Sequence, residues 1–354
     1  MKYGILTYHN IPNFGALLQA YSFCATLREL GTDCDILDYQ CENIVQRELT
    51  FHPSANPIKT VAHRLLVWPF QRKKIHACQQ FIKPYCSKNQ YTRANVQKAN
   101  NVYDGFIAGS DMIWNREVNG CDQTFFLDFT AHDKYRFSYA SSIGGIWSEE
   151  DWTVISSLLG RFNRLSVREE DTAKMIRKQL NLSCESVCDP TMLMLPAVWD
   201  KLTVPVYEKN YIVVYFPYPE ILAAAKRYAS EHAQKVLVLG VGMLPHKGML
   251  LKQVYTPEEW ISYIKNANAV FTDSYHGLLF SLYFRRPVWT NNRSNRTISL
   301  LKQLGQEQCW IDEDPHFAHV IDYQKVQAAL LEMRKKSLDY LKTALKNEGE
   351  NHAY

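Results

Sequence analysis

Thr272-Asp273-Ser274-Tyr275-His276-Gly277 closes an apolar strand, Asn268-Ala269-Val270-Phe271, and opens an apolar helix at Leu278-Leu279-Phe280-Ser281-Leu282. A short polar turn between a buried strand and a helix start is where α/β proteins hold anions. Free backbone N–H groups and the positive end of the helix dipole point at the ligand there. His276 can give a proton or bind an anion, and Gly277 lets a ligand approach the backbone. The ordinary alternative is a capped helix that happens to begin with a histidine.

Three further clusters sit at strand ends. Gly109-Ser110-Asp111-Met112-Ile113-Trp114-Asn115 offers a hydroxyl, a carboxylate, an indole and an amide. Asp111 at such a place is often a helix cap, but beside Trp114 and Asn115 it suits a general base or a sugar contact. Arg168 follows the strand Leu165–Val167 and precedes Glu169-Glu170-Asp171. Acids suit the start of a helix; an arginine there opposes the dipole and suits a carboxylate or phosphate, unless it merely pairs with its acidic neighbours. The first turn, Tyr8 to Ala16, is long for a strand-to-helix connection. Its Asn13, and Gln19 one turn into the helix, can each donate and accept, as polyol recognition requires.

The elements that carry these clusters alternate strand and helix, which predicts parallel sheets with crossover helices. Strands are read at Tyr3–Thr7, Cys34–Leu37, Val102–Ala108, Arg136–Ala140 and Leu165–Val167, with a helix over Gly15–Leu30. A second series follows: strands at Tyr211–Phe216, Lys235–Leu239, Asn268–Phe271 and Pro287–Trp289, helices at Pro219–His232 and Pro257–Ala267. The 354 residues suit two domains: 1–200, expected to face the acceptor, and 201–325, expected to face the donor, with 326–354 as a helical tail. The proline-bearing stretch 190–205 is the expected hinge.

Composition narrows the class. Hydrophobic content of 46% with 21% charged residues is that of a soluble globular chain, and a net charge of +4 does not indicate nucleic-acid binding. No apolar run is long enough to span a bilayer and the chain enters a strand at once, so a cytoplasmic protein is expected. The nine cysteines are odd in number and lack zinc-site spacing, so reduced thiols are expected and no metal or cofactor. Residues 58–82 mix Arg64, Arg72, Lys73 and Lys74 with Leu65, Leu66, Trp68, Phe70 and Phe81. Such a segment could lie on an anionic membrane, at the inner face; the favoured expectation is a helix broken at Pro69 that packs its apolar side on the domain.

Taken in order, these motifs resemble the polysaccharide pyruvyl transferase family. The resemblance is carried by Asn13 to Tyr21, Gly109 to Asn115, Ser138 to Gly144, Ser166 to Glu169, Asp189-Pro190-Thr191 and Thr272 to Gly277, and it spans roughly residues 1–300. It implies two Rossmann-like domains facing across a cleft, as in glycosyltransferases of the GT-B type. It also implies transfer of an enolpyruvyl-derived group from phosphoenolpyruvate to a sugar of a surface polysaccharide or its lipid-linked precursor. On this reading His276, Arg168 and Asp111 are catalytic. Arg168, Ser274, Tyr275, His276, Gly277, His246 and Lys247 bind the donor, and Asn13, Gln19, Ser110, Asp111, Trp114 and Asn115 bind the acceptor. Characterised members carry Arg-Leu-His where this chain has Ser274-Tyr275-His276, so a substitute cation is expected, from His246 or Lys247 before Arg285 or Arg286. A nucleotide-sugar glycosyltransferase and a non-catalytic protein for anionic glycans are the alternatives.

Overall fold

The computed structural model describes residues 1–243, 246–311, 317 and 320–346. Its strands are β1 (Lys2–Leu6), β2 (Asp33–Tyr39), β3 (Cys86–Tyr91), β4 (Gly105–Ala108), β5 (Tyr135–Ser138), β6 (Leu165–Val167), β7 (Cys184–Ser186), β8 (Tyr211–Tyr215), β9 (Lys235–Gly240), β10 (Leu250–Gln253), β11 (Val270–Thr272) and β12 (Val288–Thr290). They form two five-stranded parallel sheets, ordered β3-β2-β1-β4-β5 and β10-β9-β8-β11-β12, and the pair β6-β7 continues the first through single bridges such as Ser141 to Val167. The protein is thus α/β with two Rossmann-like sheets. Each sheet has the same 3-2-1-4-5 order, and its crevice opens where the chain reverses direction, between β1 and β4 and between β8 and β11.

The central strands are buried on both faces, so they read as apolar runs rather than alternating ones: all of Tyr211–Tyr215 and all of Gly105–Ala108 are buried. The backbone turns sharply as it leaves them. Asp111 after β4, Ala140 after β5 and Phe216 after β8 hold left-handed φ values of 68°, 50° and 62°. Side chains other than glycine avoid that region, and such strain is retained where it aims a functional group.

One core joins the two sheets. The Phe14–Glu29 helix of the first packs on the Pro257–Asn266 and Tyr275–Tyr283 helices of the second. Trp260 lies at that seam, its ring 5.9 Å from Phe14, 5.3 Å from Tyr215 and 5.6 Å from Phe280. Residues 190–194, the first part of the expected hinge, are buried against the Phe14–Glu29 helix; the exposed stretch comes later, around Val204–Asn210. The Tyr323–Lys346 helix then returns to the first sheet, where Tyr340 donates to the Ser138 carbonyl at 2.9 Å and Ser337 Oγ accepts from Cys188 N–H at 2.9 Å. Residues 347–354 of the expected tail lie outside the described residues.

The 58–82 segment departs from the expected packing. It forms two helices, Pro57–Leu66 and Trp68–Ile82, and the first buries none of its residues. Ile58, Leu65 and Leu66 are 81%, 68% and 68% exposed, with Val61 and Phe70 also open to solvent. The apolar side therefore faces outward, because only the far end of the second helix, at Cys78 and Ile82, reaches the core. No described helix is long and apolar enough to cross a membrane.

Trp260→Ala removes the ring that three aromatic neighbours from both halves enclose. It is expected to cost about 3–5 kcal/mol in denaturant unfolding, and Trp260→Phe clearly less. An Ala variant as stable as the wild type would show that the seam does not hold the two sheets together.

Candidate active site

The C-terminal ends of β4, β6, β7 and β11 bring their side chains to one place between the sheets. At its centre is Asp189, fully buried after β7. Its Oδ1 accepts from the Thr191 N–H at 2.9 Å and the Thr191 hydroxyl at 2.6 Å. Its Oδ2 lies 3.0 Å from Arg168 Nη2 and 3.4 Å from His276 Nε2. Burial alone would raise the Asp189 pKa, but the charges of Arg168 and His276 outweigh it and hold the carboxyl well below its usual range. The His276 contact is an electrostatic approach rather than a closed hydrogen bond.

Arg168 does not pair with its sequence neighbours Glu170 and Asp171. It donates from Nη2 to Ser110 Oγ at 2.6 Å, faces Asp189 and stands 4.0 Å from Asp111. Burial works against its charge, yet Asp189, Tyr275 and Asp111 keep it firmly protonated. Its Nε and Nη1 are buried without a protein partner. Glu169 turns away to accept from Ser142 Oγ at 2.5 Å, and its pKa is raised, by burial first.

Opposite Arg168 stands Arg296, from the Asn295–Leu304 helix of the second sheet. It donates to Asp111 Oδ1 at 3.2 Å, and its Nε is also buried without a partner. The two guanidinium groups lie 5.3 and 5.4 Å from the centre of the Tyr275 ring. Together with Asp189, Ser299 and Lys336 they line a cavity of about 210 Å³.

The turn itself is built as expected, with different duties for its members. Ser274 caps the Tyr275–Tyr283 helix by accepting from Gly277 N–H at 3.1 Å. Gly277 lacks a side chain because Thr272 and Ser274 fill that space, not to admit a ligand. The amides of Tyr275 and His276 have no acceptor among the described residues. On its other face the His276 ring lies against Gly15, where a Cβ would overlap Nδ1, Cγ and Cβ of the imidazole. His276 thus sits where the two halves touch.

The expected acceptor residues prove mostly structural. Asn13 caps the Phe14–Glu29 helix through Gly15 and Ala16 N–H groups. Gln19 is buried and donates to Thr7 Oγ1 at 2.9 Å, and Thr7 in turn donates to the Ser110 carbonyl. Trp114 is fully buried, stacked on Phe126 and donating to the Phe125 carbonyl at 3.1 Å, so it offers no face to a sugar. Asn115 caps the next short helix and donates to the Ile143 carbonyl. Ser110 and Asp111 do reach the site, beneath Arg168 and Arg296.

The expected substitute cations are elsewhere. His246 and Lys247 precede β10, the edge strand three positions from β11 in its sheet, and neither lines the cavity. Arg285 and Arg286 follow the far end of the Tyr275–Tyr283 helix. The basic side chain that lines the cavity beside Arg168 is Arg296. A basic residue in the first turn of a helix, where it opposes the dipole as Arg168 does just ahead of its own helix, was available to find it. Asp189 was visible in its Asp-Pro-Thr motif, but nothing in the sequence shows that it would face Arg168.

Two solved structures of low identity share the fold. UDP-GlcNAc 2-epimerase from Neisseria meningitidis, bound to UDP-GlcNAc, is 8% identical with a TM-score of 0.54, over 98% of this chain and 100% of that one. MnaA of S. aureus, in complex with UDP, is 9% identical with a TM-score of 0.50, over 97% of this chain and 96% of that one. Both support a GT-B-like fold. No curated protein sequence matches the chain. The family model described as polysaccharide pyruvyl transferase matches residues 13–292.

Asp189→Asn leaves buried Arg168 without its carboxylate and is expected to cost about 3–5 kcal/mol near neutral pH. Because the folded pKa is depressed, this stabilisation is present above the unfolded value of about 3.9 and is lost as pH falls through the folded one. The stability gap between wild type and variant should therefore stay constant from pH 7 to about 4 and close only in stronger acid. A gap that closes near neutrality would assign it to another group.

Proposed function

We propose, from the premise that this chain belongs to the polysaccharide pyruvyl transferase family, that it is a transferase that moves an enolpyruvyl-derived group from phosphoenolpyruvate onto two hydroxyls of a sugar as a ketal. The observation that carries this reading is the pair Arg168 and Arg296. Both line one small cavity with Tyr275, and Nε and Nη1 of Arg168 and Nε of Arg296 have no protein partner among the described residues. Such a pair suits a compact ligand with carboxylate and phosphate on neighbouring atoms. A nucleotide-sugar, several times larger, suits a cavity of about 210 Å³ poorly. Arg296 also supplies the charge that Ser274 lacks.

In this reading the donor lies between the two guanidinium groups, with the free amides of Tyr275 and His276 at the helix start facing an anionic oxygen. His276, held by Asp189, is the acid that protonates C3 of the enol. The first sugar hydroxyl then adds to the cationic C2 and loses its proton, with Asp111 the nearest base. Phosphate leaves with its bridging oxygen, and the second hydroxyl closes the ketal. Of the two hydroxyl protons, one is balanced by the proton gained at C3 and the other leaves on phosphate. Charge stabilisation and positioning supply most of the rate. Access to His276 requires Gly15 to move off the imidazole, so acceptor entry and opening of the cleft are one event.

The acceptor is a glycan or a sugar on a lipid carrier. The open apolar stripe of the Pro57–Leu66 helix, flanked by Lys59, Arg64, Arg72 and Lys73, supports contact with an anionic lipid surface. The chain would then work at the cytoplasmic face of a membrane without crossing it.

Phosphoenolpyruvate should raise the melting temperature of the wild type, and nucleotide-sugars should not. Arg296→Gln is expected to weaken phosphoenolpyruvate about tenfold or more. His276→Asn should keep donor binding and lose transfer by roughly a hundredfold or more. A donor affinity untouched by Arg296→Gln would remove the basis for this reading.

The wild type is also expected to float with vesicles of equal phosphatidylcholine and phosphatidylglycerol, and far less with phosphatidylcholine alone. Leu65→Glu combined with Leu66→Glu should abolish flotation and leave the melting temperature unchanged. Flotation unaffected by the double change would rule out this helix as the contact.

A further inference from the structure

One group of cations plays no part in the site above. A cavity of about 370 Å³ opens between Pro12 of the first loop, residues 47–52, the two helices of the 57–82 segment and Val241. Its polar lining is Arg47, Glu48, His52, His63, Gln71 and Lys74, with Thr50. Glu48 is the single carboxylate of that lining, and Arg47 Nε already holds it at 2.9 Å. Lys74 has no such partner. Its ammonium sits 4.2 Å from the centre of the Phe14 ring and meets no carboxylate and no hydrogen-bond acceptor among the described residues. Burial pulls its pKa below the ordinary lysine value. His63, whose ring lies 5.4 Å from that of Phe51, also lines the cavity, and its Nδ1 has no hydrogen-bond partner among the described residues.

Arg47, His52, His63 and Lys74 thus line a cavity whose one carboxylate is already paired, and Lys74, half-buried against Phe14, is left to attract an anion that arrives from outside. The place matters as much as the charge. Phe14, beneath Lys74, is followed by Gly15, and Gly15 lies against His276. The cavity therefore adjoins the transfer site on the side of the first sheet. The donor's cations, Arg168 and Arg296, line a different cavity.

We propose that this cavity is a phosphate-ester subsite for the acceptor, with Lys74 as its principal cation and His63 and Arg47 beside it. The inference deepens the pyruvyl-transfer reading and rests on it: a sugar held by its phosphate here would present its hydroxyls toward His276. The phosphate has two sources, a water-soluble sugar phosphate or a prenyl diphosphate carrier. The exposed apolar stripe on the Pro57–Leu66 helix, which also gives His63 to the cavity, is placed to meet the second.

Calorimetric titration of the full chain tests this, with inorganic pyrophosphate and farnesyl diphosphate as probes and phosphoenolpyruvate present at saturation. Pyrophosphate is expected to bind alongside the donor. Lys74→Gln should weaken it about tenfold or more and leave phosphoenolpyruvate affinity unchanged, and Lys74→Arg should keep most of it. Farnesyl diphosphate binding tighter than pyrophosphate supports the subsite with a prenyl carrier; equal affinities support it with a soluble phosphate. Competition between pyrophosphate and phosphoenolpyruvate, unchanged affinity in Lys74→Gln, or no binding of either probe would overturn the subsite. If phosphoenolpyruvate fails to bind while Lys74-dependent pyrophosphate binding persists, the donor assignment falls and the subsite stands.

Discussion

Everything at the centre of this protein depends on one buried carboxylate. Asp189 has no water to solvate it, so it needs two cations and a hydroxyl to exist as an anion. Those partners come from three places: Arg168 after β6, His276 from the second sheet and Thr191 from the turn that follows. The charge thereby fixes where the two sheets meet. Arg168 in turn is engaged through Nη2, while its Nε and Nη1 have no partner among the described residues.

Beneath this lies a chain of polar contacts that begins in the Phe14–Glu29 helix. Gln19 holds Thr7, Thr7 holds the carbonyl of Ser110, and the hydroxyl of Ser110 receives Arg168. Residues that look chemical in the sequence are thus positioning residues in the fold. Asn13, Trp114 and Asn115 belong to the same class: each satisfies backbone groups that a sharp strand-to-helix turn would leave exposed. Their types follow from the left-handed turns at Asp111 and Ala140, which break the regular pattern of backbone hydrogen bonding.

Much of the fold was legible because the buried parallel strands are apolar runs and the helices carry clear start signals. Thr256-Pro257 with Glu259 is one, and the capping box forms as its residues suggest. What escaped notice was polar or paired at long range. Strand β3 is Cys-Ser-Lys-Asn-Gln-Tyr, an edge strand whose outer groups face water, and it carries no hydrophobic signal. Within the site, the ends of β4, β6 and β11 were visible one by one, whereas β7 was not read as a strand and Asp189 stood out only in its Asp-Pro-Thr motif. Their meeting was not visible, because Asp189 with Arg168, and Arg296 with Asp111, are contacts of the tertiary fold. The sequence marks His276 and Arg168 as chemical residues; it contains no trace of the distance between them.

The returning Tyr323–Lys346 helix has a consequence for how the molecule is made. Tyr340 and Ser337 bind backbone atoms of the first sheet and of the segment that bears Asp189, and Arg334 donates to the Leu193 carbonyl at 2.7 Å. The first half of the chain is complete on the ribosome long before these partners emerge. Until residues 323–346 arrive, the carbonyl of Leu193, the amide of Cys188 and the apolar groups that pack on Tyr340 and Leu341 lack those partners. Domains of most chains fold in order of synthesis. Here the first sheet is finished by the last helix, so the nascent N-terminal half must wait, with an apolar flank open, for the C-terminus to close it.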